Sequence, residues 1–249
     1  MPRIKITIEY DGTGLAGWQR QDDRESVQNL LRTAAEKLTG VACDVVGAGR
    51  TDAGVHAVAQ VAHFDMEKEM SPYNIMHGLN YHLEPLTNNV IVIKAEQAAD
   101  DFHARFSATG RAYYYRIINR QARLSLELNR AWHIHEKLDS QAMQKATQLL
   151  IGHRDFTTFR SSKCQSKSPM KTLDRLDVTR EGEEIRVVVE ARSFLHHQVR
   201  NMVGALRLIG NGKWKNDDLI EALEAKDRSK GGETAPPQGL YLAWVQYPG

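Results

Sequence analysis

Cysteine is scarce in this sequence: Cys43 and Cys164 are the two in 249 residues, with 120 residues between them and no C-x-x-C pair. That excludes a disulfide framework and the common cysteine-based zinc and redox sites, and it fits a reducing cytoplasm. Long apolar runs are missing too. The longest, Gly239 to Val245, has seven residues, against about 20 needed to span a bilayer, so no membrane partner is expected. The N-terminus opens into Arg3-Ile4-Lys5-Ile6-Thr7-Ile8-Glu9-Tyr10, which lacks the apolar core of a signal peptide. Charge of one sign is not in excess, since 33 Lys and Arg against 31 Asp and Glu leave +2, which excludes a polybasic nucleic-acid coat. Several catalytic signatures are also absent: a G-x-S-x-G elbow, a P-loop, and the H-x-E with P-C-x-x-C of zinc deaminases. Gly47-x-Gly49 lacks the third glycine of a dinucleotide fingerprint. Chemistry needing neither cofactor nor metal is favoured.

What is there is a globular chain, 41% hydrophobic and 26% charged, long enough for one large domain or two smaller ones. Ile4, Ile6, Ile8 and Tyr10 alternate with polar residues, as in a half-buried strand. Ser26 caps a predicted helix carrying Val27, Leu30, Leu31, Ala34, Ala35 and Leu38, and Gly40 stops it. Short strands follow at Asp44 to Gly47 and Val58 to Asp65, then a helix from Ser71-Pro72 to about Leu83, then a strand within Asn89 to Gln97. This β-α-β-β-α-β order returns after Asp101: a strand at Thr109 to Ile118, a helix from Asp139 to Gly152, a hairpin around Glu181-Gly182, a helix from His196 to Ile209, a short extra helix at Asp217 to Ala225, and a last strand at Leu240 to Tyr247. The expected fold is therefore α+β, an internal duplication of ferredoxin-like halves at 1–101 and 102–249. Their sheets would join into one mixed, mainly antiparallel sheet with helices on one face and a central cleft. Ser229 to Gln238, rich in Gly, Lys and Pro, reads as the most mobile loop.

Three clusters carry chemistry. Gly47-Ala48-Gly49-Arg50-Thr51-Asp52-Ala53-Gly54-Val55-His56-Ala57 lies between two strands, and its glycines let the backbone turn sharply and approach a ligand. Asp52 there is a candidate nucleophile or base, and Arg50 a candidate phosphate or base contact. The bland alternative is a tight turn with a surface ion pair. Phe102-His103-Ala104-Arg105-Phe106-Ser107, followed by Gly110-Arg111-Ala112-Tyr113-Tyr114-Tyr115-Arg116, interleaves aromatics with arginines such as Arg105. That composition suits stacking on unpaired bases with phosphate contacts alongside, or else a tyrosine-rich core strand. In Phe194-Leu195-His196-His197-Gln198-Val199-Arg200-Asn201, Arg200 follows His197 by three residues, on one face of the predicted helix. Adjacent histidines on a helix diverge by about 100°, which argues against a shared metal.

Gly49-Arg50-Thr51-Asp52-Ala53-Gly54-Val55-His56 resembles the active-site motif of the pseudouridine synthases, in particular the tRNA-modifying family. Further landmarks resemble that family in order: Glu9-Tyr10-Asp11-Gly12, Gly17-Trp18-Gln19-Arg20-Gln21, Asp101 to Ala108, Phe156-Thr157-x-Phe159-Arg160, His196-His197-x-Val199-Arg200-Asn201 and Gly239-Leu240-Tyr241-Leu242. The resemblance implies isomerisation of uridine to pseudouridine at positions 38, 39 and 40 in the anticodon arm of tRNAs, by a homodimer without cofactor. It implies Asp52 as the catalytic aspartate, Tyr113 as the tyrosine beside the target base and Arg200 as the arginine that pairs with the aspartate. Leu240 would line the pocket, and Arg50 would lie near the flipped nucleotide. Ala112 stands where the family often carries an arginine. Attack by Asp52 at C1′ and attack at C6 of uracil both remain open, as do two rival readings, a non-catalytic RNA-binding module and a tRNA methyltransferase.

The near-neutral total conceals segregation. Residues 103–123, 160–175 and 195–215 together carry +13, leaving −11 for the rest. Such a distribution suits a shaped tRNA-binding face whose affinity falls steeply with salt.

Overall fold

A computed structural model describes residues 2–21 and 23–248. The chain divides into two compact units, Met1–Thr109 with Tyr241–Gly249, and Gly110–Leu240. The first unit runs past residue 101 as far as Thr109 and takes in the chain's last strand.

In the first unit the order is β1 (Arg3–Tyr10), α1 (Val27–Thr39), β2 (Val46–Gly47), β3 (His56–Asp65), α2 (Pro72–Leu83) and β4 (Val90–Ala98). β1 lies between β3 and β4, antiparallel to both. Its alternation appears in burial: Ile4, Ile6, Ile8 and Tyr10 are all buried. Helix α1 starts where the Ser26 hydroxyl accepts the Asn29 N–H and ends at Gly40 in the left-handed region, φ 81°. Its apolar stripe of Val27, Leu30, Leu31, Ala34 and Ala35 is buried. Helix α2 has the expected Ser71 cap and Pro72 start, and it packs against α1.

The second unit runs β5 (Gly110–Asn119), β6 (Trp132–Ile134), α3 (Ser140–Thr147), β7 (Gly152–Asp155), β8 (Met170–Glu181), β9 (Glu184–Ala191), α4 (Gln198–Gly210) and α5 (Asn216–Ala225). Its sheet order is β5-β9-β8-β7, with β6 parallel to the end of β5. The final strand, β10 (Leu240–Gln246), pairs in parallel with β3 through Tyr241↔His56 and Leu242↔Ala57. The outer edge of β3 is thus shared, β2 taking the Ala62–His63 end. The fold is α+β with predominantly antiparallel pairing.

Three local expectations change. Helix α3 ends at Thr147 rather than near Gly152, because Leu149 and Leu150 bond back three residues, to Ala146 and Thr147, and tighten the turn. The histidine pair precedes α4: His197 is its N-cap, with φ 64°, so the two imidazoles are not on a helix, and their ring centroids lie 4.1 Å apart. The segment expected to be mobile, 229–238, is bonded into the unit, since the Arg228 guanidinium donates to Gly232 O, Asn201 Oδ1 and Thr234 Oγ1. Its glycines are there for close approach: a Cβ on Gly231 would sit 2.7 Å from Thr158 O. Among the described residues no helix is long and apolar enough to cross a membrane.

Candidate active site

The loop from Gly49 to Val55 is held from beneath by buried polar groups. Gln60, fully buried on β3, donates from Nε2 to Gly49 O at 2.9 Å, while its Oε1 accepts the Val61 N–H. The Tyr10 hydroxyl, at the end of β1, lies 2.7 Å from Thr51 Oγ1. The backbone is held as well: Trp18 N–H donates to Thr51 O at 3.0 Å, and Val55 N–H closes a turn onto Asp52 O at 3.1 Å. Gly12 and Gly17 allow this approach, because a Cβ on Gly17 (φ 89°) would sit 2.4 Å from Thr51 O and one on Gly12 2.2 Å from Val55 O. On this framework Asp52 is partly exposed and Arg50 exposed, whereas Thr51 and Val55 between and beside them are buried. His56, which starts β3, accepts the Gly12 N–H at Nδ1 (3.0 Å) and stacks on Tyr241 at 4.6 Å. Such a clamp fixes the backbone from which the Asp52 side chain projects.

In the second unit Tyr113 and Tyr115 share a face of β5. Tyr115 is fully buried, its hydroxyl donating to Pro236 O at 2.7 Å, and burial pushes its phenol well above the ordinary range. Tyr113 is 8% exposed and meets Phe194 edge-on at 5.2 Å. Both tyrosines are buried, Tyr115 completely and Tyr113 nearly so. Arg200, in the first turn of α4, donates from Nε to Ala235 O at 2.8 Å, and its own carbonyl accepts the Ala235 N–H. Next to that bond Arg228 and Thr234 both donate to Asn201 Oδ1, and buried Asn201 donates to Phe159 O at 2.8 Å. Leu240 is buried just beyond this strap, and Gly239 before it abuts the Tyr115 ring.

The segment 102–107, in the first unit, carries Arg105. Ala104 is fixed from both sides: its N–H donates to His63 Nδ1 at 3.2 Å, and its carbonyl accepts the Tyr247 hydroxyl at 2.7 Å. Burial, then the nearby Arg3 cation, lower the His63 pKa to about 4, so the imidazole is neutral at physiological pH and Nδ1 can accept.

Asp52, Arg50 and Arg105 thus lie in the first unit, and Tyr113, Arg200 and Leu240 in the second. The sequence reading missed Tyr10, Gln60 and Gly17 as supports of the Asp52 loop. Gln60 left a trace, a polar residue within the apolar run Val58-Ala59-Gln60-Val61-Ala62 of a buried strand. The contact from Gly17, by contrast, is tertiary.

A glycine-rich loop that carries one partly exposed aspartate beside a buried strand is the arrangement of an enzyme's candidate nucleophile. The chain belongs to the tRNA pseudouridine synthase family, whose sequence profile matches residues 6–107 and 146–248. It is 59% identical over 247 residues to tRNA pseudouridine synthase A of Paramagnetospirillum magneticum, covering 99% of this chain and 96% of that one. It is 55% identical over 249 residues to the Maricaulis maris protein of the same name (100% and 99% covered), and 57% identical over 247 residues to that of Rhodopseudomonas palustris (99% and 100% covered).

Proposed function

We propose that this isomerase acts on uridines 38, 39 and 40 in the anticodon arm of tRNAs, as a cytoplasmic homodimer without cofactor, with Asp52 as its nucleophile. The observation that carries the assignment is the clamp on the Asp52 loop, in which Tyr10, Gln60 and Gly17 hold the backbone of one partly exposed carboxylate. In the reaction the N1–C1′ bond breaks, the uracil turns within the site, C5 bonds to C1′, the C5 proton leaves and N1 is protonated. Atoms balance without an oxidant or co-substrate. A carboxylate nucleophile, attacking C1′ or C6, divides the exchange into two easier steps. Arg200 supplies the cation that keeps a carboxylate ionised once water is excluded. Tyr113 stacks on the base, Leu240 lines its pocket, and Arg50 and Arg105 contact the RNA backbone, offsetting the few kcal/mol of extruding a stacked nucleotide.

The test is tritium release from tRNA labelled with [5-³H]uridine, with the modified positions mapped. Asp52→Ala is expected to lower turnover at least ~10³-fold while tRNA binding persists. Pseudouridine formation at the wild-type rate by Asp52→Ala would overturn the assignment, and a wild-type protein that binds tRNA but releases no tritium would favour a binding module.

A further inference from the structure

Phe106 is 73% exposed, on a segment that is otherwise tightly fixed. Besides the two bonds at Ala104, Arg3 donates to Phe102 O at 2.8 Å, His103 N–H donates to Ser107 Oγ at 3.0 Å, and Ser107 N–H returns to His103 O at 2.9 Å. His103 Nδ1 accepts the N–H groups of both Arg105 and Phe106, at 3.1 and 3.3 Å. The His103 ring lies behind the Phe106 ring, with centroids 4.4 Å apart and planes at 34°, and the Arg105 guanidinium lies 5.6 Å from the Phe106 centroid. A connecting turn gains nothing from a large apolar ring presented to water on so rigid a support, since burial is what makes such a ring favourable. A platform for stacking does gain: a flat π face, held by an imidazole behind it and flanked by a cation, matches one unpaired base with its phosphate.

We infer that Phe106 is a stacking platform for an unpaired base of the RNA substrate, with Arg105 taking the adjoining phosphate and His103 and His63 positioning the ring. This rests on the RNA-isomerase reading above, and it adds to it a subsite on the 102–107 segment. The alternative occupant of an exposed phenylalanine, a second copy of this chain, is decided by the same experiment.

The full-length protein is titrated with unmodified tRNA transcript, and Kd is measured across a salt series. Phe106→Leu keeps apolar bulk but loses the π face and is expected to weaken binding about tenfold, whereas Phe106→Trp binds within about twofold of wild type. Phe106→Trp should also show tryptophan quenching by tRNA beyond that of the four native tryptophans. Arg105→Gln should lower the salt slope by about one, and Phe106→Leu should leave it unchanged. Wild-type affinity in Phe106→Leu, or a change of its sedimentation state in place of its affinity, overturns the platform. The two readings separate: tritium release that depends on Asp52, alongside tRNA binding indifferent to Phe106, sinks this inference and leaves the isomerase assignment standing.

Discussion

A methyl group added to Gly17 has nowhere to go. Its φ of 89° already strains any L side chain, and the new Cβ would press on Thr51 O at 2.4 Å and on the Asp52 carbonyl carbon at 2.8 Å. The displacement therefore falls on the backbone that carries the carboxylate. Gly14 is the internal control, with a similar φ of 78° and nothing within 4 Å of a Cβ. Gly17→Ala should lower single-turnover tritium release by tenfold or more while tRNA affinity holds, because a misplacement of about 1 Å at a reacting group costs that much or more. Gly14→Ala should cost roughly 1 kcal/mol of stability and change the rate less than twofold. Equal rate losses in the two variants, measured beside their thermal melts, would show that only backbone strain is at work. At this scale the candidate loop stands out in the sequence, because Asp52 and Arg50 lie within one glycine-rich octapeptide. Its supports do not, since Tyr10, Gly17 and Gln60 reach the loop through tertiary contacts that no local spacing encodes.

Elements with chemical punctuation were legible where it is strong: Ser26 and Gly40 bound α1, and Ser71-Pro72 opens α2. They were blurred where a terminus is settled by the backbone itself, as at the tightened end of α3 and at His197 before α4. β2 is two residues long and β6 three, too short for a period to register. One element carries a pH prediction. His63 on β3 is neutral in the fold until about pH 4, whereas unfolded it titrates near 6.5. Between those values the unfolded chain binds the extra proton, so His63 lowers stability as pH falls from about 6.5 to 4. The carboxylates whose pKa values are lowered, such as Asp65 beside Arg3, act below that window. The melting temperature should fall by a few degrees between pH 7 and 5, and in His63→Asn that decline should largely vanish. Asparagine can still offer an oxygen to the Ala104 N–H but cannot titrate. An undiminished decline in the variant would assign it to other groups.

For the whole molecule, the repeated order of strands and helices is enough to specify the α+β class, because each half alternates periods of 2 and 3.6 in the same sequence. Charge was the less legible property. The three basic segments carry 14 Lys and Arg, but four of those arginines are held by acids from outside the segments or at their margin. Arg116 pairs with Glu127 and Glu184, Arg120 with Glu183, Arg175 with Asp177 and Glu190, and Arg207 with Glu136 and Glu233. A phosphate would have to displace a carboxylate to reach them. At about 0.9 ions released per phosphate contact, the other ten cations of these segments contribute at most about −9 to the slope of log K against log salt. Lys163 and Lys167 are exposed and, among the described residues, pair with no acid. Replacing both with Gln should reduce the slope by roughly 1.5 and weaken binding to all tRNAs alike, whereas Arg175→Gln should leave the slope where it was, since the charge it removes is already offset by Asp177 and Glu190. Filter binding between about 50 and 200 mM salt decides the point: an equal loss of slope in the two variants would mean that the ion pairs open to RNA and that sequence charge, not paired charge, sets the affinity.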